Sequence, residues 1–311
     1  FNENYGFGDI RDKSVLPLSG GLDSRIILGV HDFAYGYTFG PIDTGDRPVA
    51  RKFSHLFDTY EEFSFKALTY HQEVKDYAHI IFDGICIHPF AELIEVYKKI
   101  KQSNPKGEFF YDGYLGGAVH QGTYFYHTSF IGNLEKIFVS RIYKSFTPIK
   151  MLKERYAKLN QKELSLLISE YRSVDFIHDM QIPDTHKFLL FEILYGRGAR
   201  YILNGGTIMA SQFYTVIQPF FQNKWYFNCL MQKSAKEMLQ WKMVKPVYKK
   251  FPDLFSTRTD TGYFPQHLPF YSRVIMMGNK FLSKLNIIKG CQNYTTELPE
   301  IVWEKSEKKV P

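Results

Sequence analysis

The sequence predicts an α/β fold: a parallel sheet with flanking helices, followed by a largely α-helical C-terminal half. Three observations point there. Short apolar or aromatic runs alternate with amphipathic stretches across residues 15–111, the pattern of strands joined by crossover helices. The runs end at glycine-containing turns. From about Asn133 onward the pattern lengthens to helical periods, with no repeat and no low-complexity linker.

The elements follow in order. Val15-Leu16-Pro17-Leu18 is an apolar run that stops at Ser-Gly-Gly, and Ser24 to Val30 has the apolar spacing of a buried helix. Phe33 to Phe39 reads as a second strand, ended by Gly40-Pro41. Arg47 to Phe57 reads as a helix with Asp46 as its N-cap, and Tyr60 to Phe65 as a third strand. Tyr70 to Asp83 and Phe90 to Gln102 are amphipathic, and Glu108 to Tyr111 is a short strand running into Asp112-Gly113. Ile149 to Leu159, Lys162 to Arg172 and His186 to Leu203 supply the long helical patterns. The division expected is a core over 1–132, a helical extension of the same domain over 133–303, and a frayed tail over 304–311.

Bulk properties bound the function. The 311 residues are 44% hydrophobic and 23% charged, enough apolar material for a large core. Aromatics reach 17%, with 28 Phe and 22 Tyr, which is first of all a core packed with rings. The net charge of +7 favours phosphate-bearing partners, but the charge is dispersed rather than blocked, so nucleic acid is not demanded. Cys86, Cys229 and Cys291 are too few and too scattered for a disulfide framework or a zinc site. No apolar stretch approaches the ~20 residues that span a bilayer, and no signal peptide opens the chain, so a cytoplasmic protein is expected. The first residue is Phe1 rather than Met, which reads as a fragment or a processed chain whose N-terminal portion is missing.

The chemistry concentrates in Ser19-Gly20-Gly21-Leu22-Asp23-Ser24, between a predicted strand and a predicted helix. Glycines let backbone N–H groups approach phosphate oxygens, and a helix N-terminus favours anions. Ser19 and Ser24 add hydroxyl donors. Asp23 is an acid among phosphate binders, which makes sense if it holds Mg²⁺ against the same phosphates. The turn is neither a Walker loop nor a dinucleotide-binding turn. A tight turn with a capped helix is the plainer alternative.

Ser-Gly-Gly-x-Asp-Ser is the signature of the PP-loop ATP pyrophosphatases, and the chain resembles the synthetase domain of the asparagine synthetases within that superfamily. Phe33 to Phe39 looks like the family's adenine-side strand, Gly45 to Arg51 like its Asp-x-x-x-Ala helix start, and Gln218-Pro219-Phe220-Phe221 like its Val-Pro-Phe-Leu-Asp segment. The likeness covers roughly residues 12–265, with only the first motif highly specific.

The resemblance implies ATP and Mg²⁺ as cofactors. Ser19, Gly20, Gly21 and Ser24 would hold pyrophosphate, and Thr38 and Phe39 would border the adenine. Asp23 would ligate the metal. Asp112 and Gly113 would belong to a second loop with Asp112 as a further metal ligand. The implied activity is an ATP-dependent ligase or amidotransferase that adenylates a small-molecule or peptide carboxylate, releases pyrophosphate and forms an amide. The glutaminase domain of true asparagine synthetases has no counterpart here, so a separate or upstream N-terminal glutaminase-like domain is implied as a partner.

The departures are specific. Aligned from the strand end, Asp112-Gly113 matches Ser-Gly of the family's second loop, Tyr114 takes the Glu position, and Gly117 replaces the acid expected to ligate a second Mg²⁺. A different register makes Asp112 that ligand. Related β-lactam-forming synthetases carry Tyr at the position of Tyr114, where it takes part in substrate deprotonation; an aromatic packed beside a turn is the alternative. The family's late Lys is absent, and Arg258 is the comparable cation, with a solvated loop Arg as the alternative. Arg25 stands where Ser or Thr is usual. Arg197 and Arg200 form a basic pair, and His88, His120 and His127 lie near the predicted loops. Two other readings stay open: a degenerate nucleotide-binding module with little or no ligase activity, and a PP-loop RNA-modifying enzyme.

Overall fold

The computed structural model describes residues 10–40, 46–63, 93–125, 147–157, 159–196, 198, 206–242, 244–267 and 269–285. The helix expected over Tyr70 to Asp83, the Arg197 and Arg200 pair, His88, His127, Cys86 and Cys291 lie outside them. Five strands form one all-parallel sheet: β1 Ser14–Pro17, β2 Tyr35–Phe39, β3 Thr59–Phe63, β4 Phe109–Tyr111 and β5 Thr215–Ile217. Their order is β3-β2-β1-β4-β5. Register sets Val15 beside both Tyr35 and Phe110, and Phe110 beside Val216. The chain steps outward from β1 through β2 to β3, then crosses back to place β4 on the other side of β1. That reversal is a topological switch point, where loops from neighbouring strands diverge and leave a crevice at the strand carboxyl ends.

The period-2 alternation of each strand sorts its side chains between two cores. Val15, Tyr35, Tyr37 and Phe110 face one side, where they pack with Leu93, Ile94, Tyr97, Ile100, Met209 and Tyr214. Those partners come from α3 (Leu93–Ser103), α9 (Gly206–Ser211) and the segment leading into β5. Leu16 and Tyr111 face the other side, with Ile26, Ile27, Phe33, Phe57 and the helical half. On that side lie α1 (Asp23–Val30), α2 (Asp46–Arg51), α4 (Gly116–His120), α5 (Pro148–Arg155), α6 (Gln161–Ser173), α7 (Asp175–Asp179) and α8 (Asp184–Leu194). Beyond β5 follow α10 (Pro219–Gln222), α11 (Lys224–Met231), α12 (Ala235–Leu239), α13 (Lys245–Lys250), α14 (Pro252–Phe255) and α15 (Pro269–Lys284).

Local signals start several helices. Thr147 caps α5 with Pro148 in the first turn, and Asn160 with Glu163 and Ser234 with Glu237 form capping boxes for α6 and α12. One ion pair ties α5 to α8: Arg155 Nε lies 2.8 Å from Glu192 Oε2, with Glu192 fully buried.

Several sequence expectations change. The helix read over Ile149 to Leu159 ends at Arg155, and the one read over His186 to Leu203 begins at Asp184 and ends at Leu194. The helix read over Arg47 to Phe57 stops at Arg51 and gives way to a single 3₁₀ turn, Ser54–Leu56. Its expected N-cap, Asp46, is the first helical residue and turns its carboxylate to the β1–α1 loop. β5 was not foreseen, because Thr215–Ile217 spans only three residues inside a helical stretch; its pairing with β4 makes the second half complete the sheet. Among the described residues, no helix is long and apolar enough to cross a membrane.

Candidate functional site

The turn Ser19-Gly20-Gly21-Leu22-Asp23-Ser24 leaves β1, the central strand, and enters α1. It is held internally by Ser24: Ser19 N donates to Ser24 Oγ at 3.2 Å, and the two hydroxyls lie 3.3 Å apart. Gly21 N donates to Ser19 Oγ at 3.2 Å. Thr38, at the end of β2, donates its hydroxyl to the Leu18 carbonyl and so anchors the strand end. Phe39 follows it, half-buried.

Gly20 is pinned from several directions. Its N–H donates to Asp46 Oδ1 at 2.6 Å, while its carbonyl accepts from Arg25 NH2 at 2.8 Å and from Asp260 N at 3.2 Å. A Cβ here would sit 2.7 Å from Asp260 Cβ and 2.9 Å from Asp46 Oδ1, so only glycine fits between these neighbours. Burial raises the Asp46 carboxyl above the usual carboxylate range, against the pull of the Gly20 N–H and Arg25. Burial and the Asp46 charge push Asp260 up to about 6.

Arg25 lies beneath the turn, against backbone carbonyls. Its guanidinium is fully buried and donates to four carbonyls: Leu254 at 3.3 Å, and Thr257, Gly20 and Arg258 each at 2.8 Å. The fork geometry of Arg suits this role, since each terminal nitrogen reaches two acceptors. Burial lowers the guanidinium to about 10, partly offset by Asp260. The link ties the loop to the chain segment that follows α14. Arg258 itself is exposed, with its guanidinium carbon 5.0 Å from the centre of the Phe264 ring.

The second loop leaves β4, the neighbour of β1, and the two turns meet. Gly117 N donates to Asp23 Oδ2 at 2.9 Å. The Cβ position of Gly113 lies 3.3 Å from both Asp23 Cβ and Ser24 N. Leu115, with φ 68°, occupies the left-handed region, a costly conformation for a branched side chain that turns the loop sharply into α4.

Asp112 is clamped. Tyr114 N donates to Oδ1 at 3.0 Å, and Oδ2 accepts from Thr207 Oγ1 at 2.9 Å and from Gln218 Nε2 at 3.3 Å. Gln218 also donates to Thr207 Oγ1 at 3.0 Å. Burial raises the Asp112 carboxyl above its usual range; the three hydrogen bonds oppose the rise, and the Asp23 charge adds to it. Two acids that feel each other across adjacent loops suit a divalent cation, and Mg²⁺ needs only one or two carboxylates when phosphates supply further oxygens. Among the described residues, no group of three or more His, Cys, Asp or Glu gathers to hold a metal.

Tyrosines line this region. Burial drives the phenols of Tyr226, Tyr248 and Tyr263 well above their usual range, and the negative Asp23 reinforces each shift. Tyr114 is half-buried, its hydroxyl 3.4 Å from that of Tyr124.

The structure therefore brings Ser19, Gly20, Gly21, Asp23, Ser24, Asp112, Gly113 and Tyr114 to the carboxyl ends of β1 and β4. Sequence reading did not single out Thr207, Asp260 or the three tyrosines, nor the clamping role of Gln218. No periodic pattern links residues so far apart in the chain. The surface basic residues Lys13, Arg51 and Lys98, and the half-buried Arg11, each pair with an acid, in keeping with dispersed surface charge. No protein-family model matches this chain, and no curated protein matches it significantly.

Proposed function

We propose that this chain is a nucleotide-binding synthetase-like domain that takes Mg·ATP and a carboxylate, activates the carboxylate by adenylation with release of pyrophosphate, and passes the acyl group to an amine or ammonia with release of AMP and a proton. The observation that carries this reading is the meeting of the β1–α1 and β4–α4 turns at the switch point, with Asp23 accepting from Gly117 at 2.9 Å and Asp112 held beside it. Ligands of parallel α/β sheets bind in that crevice.

In this reading Ser19, Gly21 and Ser24 take the pyrophosphate and Gly20 shapes the turn around it. Asp23 and Asp112 would hold Mg²⁺, which would supply charge neutralisation at the phosphates. Thr38 and Phe39 border the base. Thr207 and Gln218 orient Asp112, so that it meets a cation without rearranging. Tyr114 stands beside the carboxylate. In this reading its phenol takes part in substrate deprotonation. Arg258, exposed and tethered through its carbonyl to Arg25, offers fixed positive charge to leaving pyrophosphate.

A second reading draws on the inward-turned donors. Gly20 N–H is taken by Asp46, Gly21 N–H by Ser19 Oγ and Ser19 N–H by Ser24 Oγ. A turn satisfied from within suits a module that binds nucleotide weakly and turns nothing over. Pyrophosphate release from Mg·ATP across a panel of carboxylates separates the two. The ligase reading expects release that Asp23→Ala abolishes; nucleotide binding without release favours the module, and release that survives Asp23→Ala removes the role assigned to that residue.

A further inference from the structure

The last described helix, α15, is fixed to the body by one face, and among the described residues its second face is uncovered. On the inner face Ser272 and Arg273 are buried, Arg273 donates to the Leu239 carbonyl, and Asn279 Nδ2 donates to the Thr261 carbonyl at 2.9 Å. Ile275 and Met276 pack against the main core. On the outer face Tyr271 is 57% exposed, Val274 42%, Phe281 62% and Leu285, just past the last turn, 53%. Gly278 lies among them, exposed, with nothing within 4 Å of its Cβ position. Phe270, 46% exposed, borders the same face.

Residues 271, 274, 278, 281 and 285 follow one another at spacings of three, four, three and four. This is the a/d seam of a heptad, a narrower stripe than a helix needs to lie on a globular core. The exposed apolar area of these side chains with Phe270 is on the order of 500 Å² per chain, the upper range for a monomer's largest patch. Two such faces together bury about 1,000 Å², the threshold for a specific contact.

We infer that this face is a self-association surface, on which α15 of a second copy packs antiparallel about a two-fold axis at the level of Met276. Residues symmetric about position 276 then oppose each other: Tyr271 meets Phe281 of the second copy, and Val274 meets Gly278 of the second copy. Large rings flank a centre where Val fills the space Gly leaves, an isologous and self-complementary arrangement. Size selects the antiparallel sense: in-register parallel pairing would set Gly278 against Gly278 and leave that layer of the seam unfilled.

Sedimentation velocity of the full 311-residue chain from about 1 to 100 μM tests this, across the concentrations where a contact of this size associates. The expected result is a shift from 36.5 kDa toward twice that mass with rising concentration. Phe281→Glu and Val274→Glu each abolish the shift while leaving the far-UV CD spectrum and thermal midpoint of the monomer unchanged. A Val274→Cys, Gly278→Cys double variant forms an oxidant-induced covalent dimer that the parent chain does not form. A chain that stays at 36.5 kDa throughout overturns the inference, including one that floats with phosphatidylcholine–phosphatidylglycerol vesicles instead. So does a dimer that both glutamate variants leave intact.

Discussion

Replacing Arg25 with Met removes a buried cation and its hydrogen bonds while keeping most of the side-chain volume. The guanidinium is fully buried and serves the carbonyls of Gly20, Leu254, Thr257 and Arg258, with its carbon 5.2 Å from the centre of the Phe53 ring. A hydrogen bond to a charged group contributes about 1.5–3 kcal/mol, and an acceptor stripped of its buried partner costs about 1–3 kcal/mol. Burying the cation in the first place opposes part of that, as its depressed pKa of about 10 records. Relaxation and water entry recover more. The net loss is about 3–5 kcal/mol, near the upper end for a point substitution. In a chain of this size that lowers the thermal midpoint on the order of 10 °C.

Arg25→Lys keeps the charge but offers three donors from one atom, so it recovers about half of the loss. Differential scanning calorimetry reads the midpoints, and limited proteolysis reads the segment after α14, which loses its tether in the Met variant and is cut there first. A Met variant within about 2 °C of wild type would refute the claim that this residue joins the loop to the C-terminal segment.

Gly20→Ala forces a methyl against Asp260 and Asp46, and overpacking of this kind costs about 1–3 kcal/mol, measurable as a lower urea midpoint at unchanged m. Arg155→Ala strands Glu192 as a buried, unpaired charge and costs about 3–5 kcal/mol; Arg155→Met with Glu192→Gln restores much of it in a double-mutant cycle. Asp260 has a folded pKa raised to about 6, so its protonated form favours the folded state. That contribution is complete below the ordinary carboxylate range and is lost as pH rises through about 6. Asp260→Asn should therefore be the more stable chain at pH 7.5, with the advantage shrinking toward pH 4.5; an advantage that grows on acidification would reverse the sign of the argument. Gln218→Leu removes one donor from the buried Asp112 and raises its carboxyl further, which should weaken Mg²⁺ affinity more at pH 6 than at pH 8 in a titration followed by calorimetry.

The α/β core was legible because strands and helices have different hydrophobic periods and the turns carry glycine. Val15 and Leu16 alternate between two cores as a period of two requires. The Ser19 to Ser24 turn was visible for the same reason: its chemistry is local, contained in six consecutive residues. What surrounds it is not local. Asp46, Thr207, Gln218 and Asp260 reach the two loops from four separate segments, and only the folded chain brings them there. In the sequence Arg25 is marked only as a departure, standing where Ser or Thr is usual. Burial against carbonyls more than two hundred residues away has no signature in the sequence. β5 was hidden by its length, since three residues carry too little alternation to mark a strand.

The most direct test of the central claim is a crystal structure of this chain grown with Mg·ATP at saturating concentration. The account predicts phosphate oxygens against the Ser19 to Ser24 turn, a cation held by Asp23 and Asp112, and the base beside Thr38 and Phe39. Nucleotide bound away from Gly20 and Gly21, or a crevice that stays without nucleotide at that concentration, would contradict it.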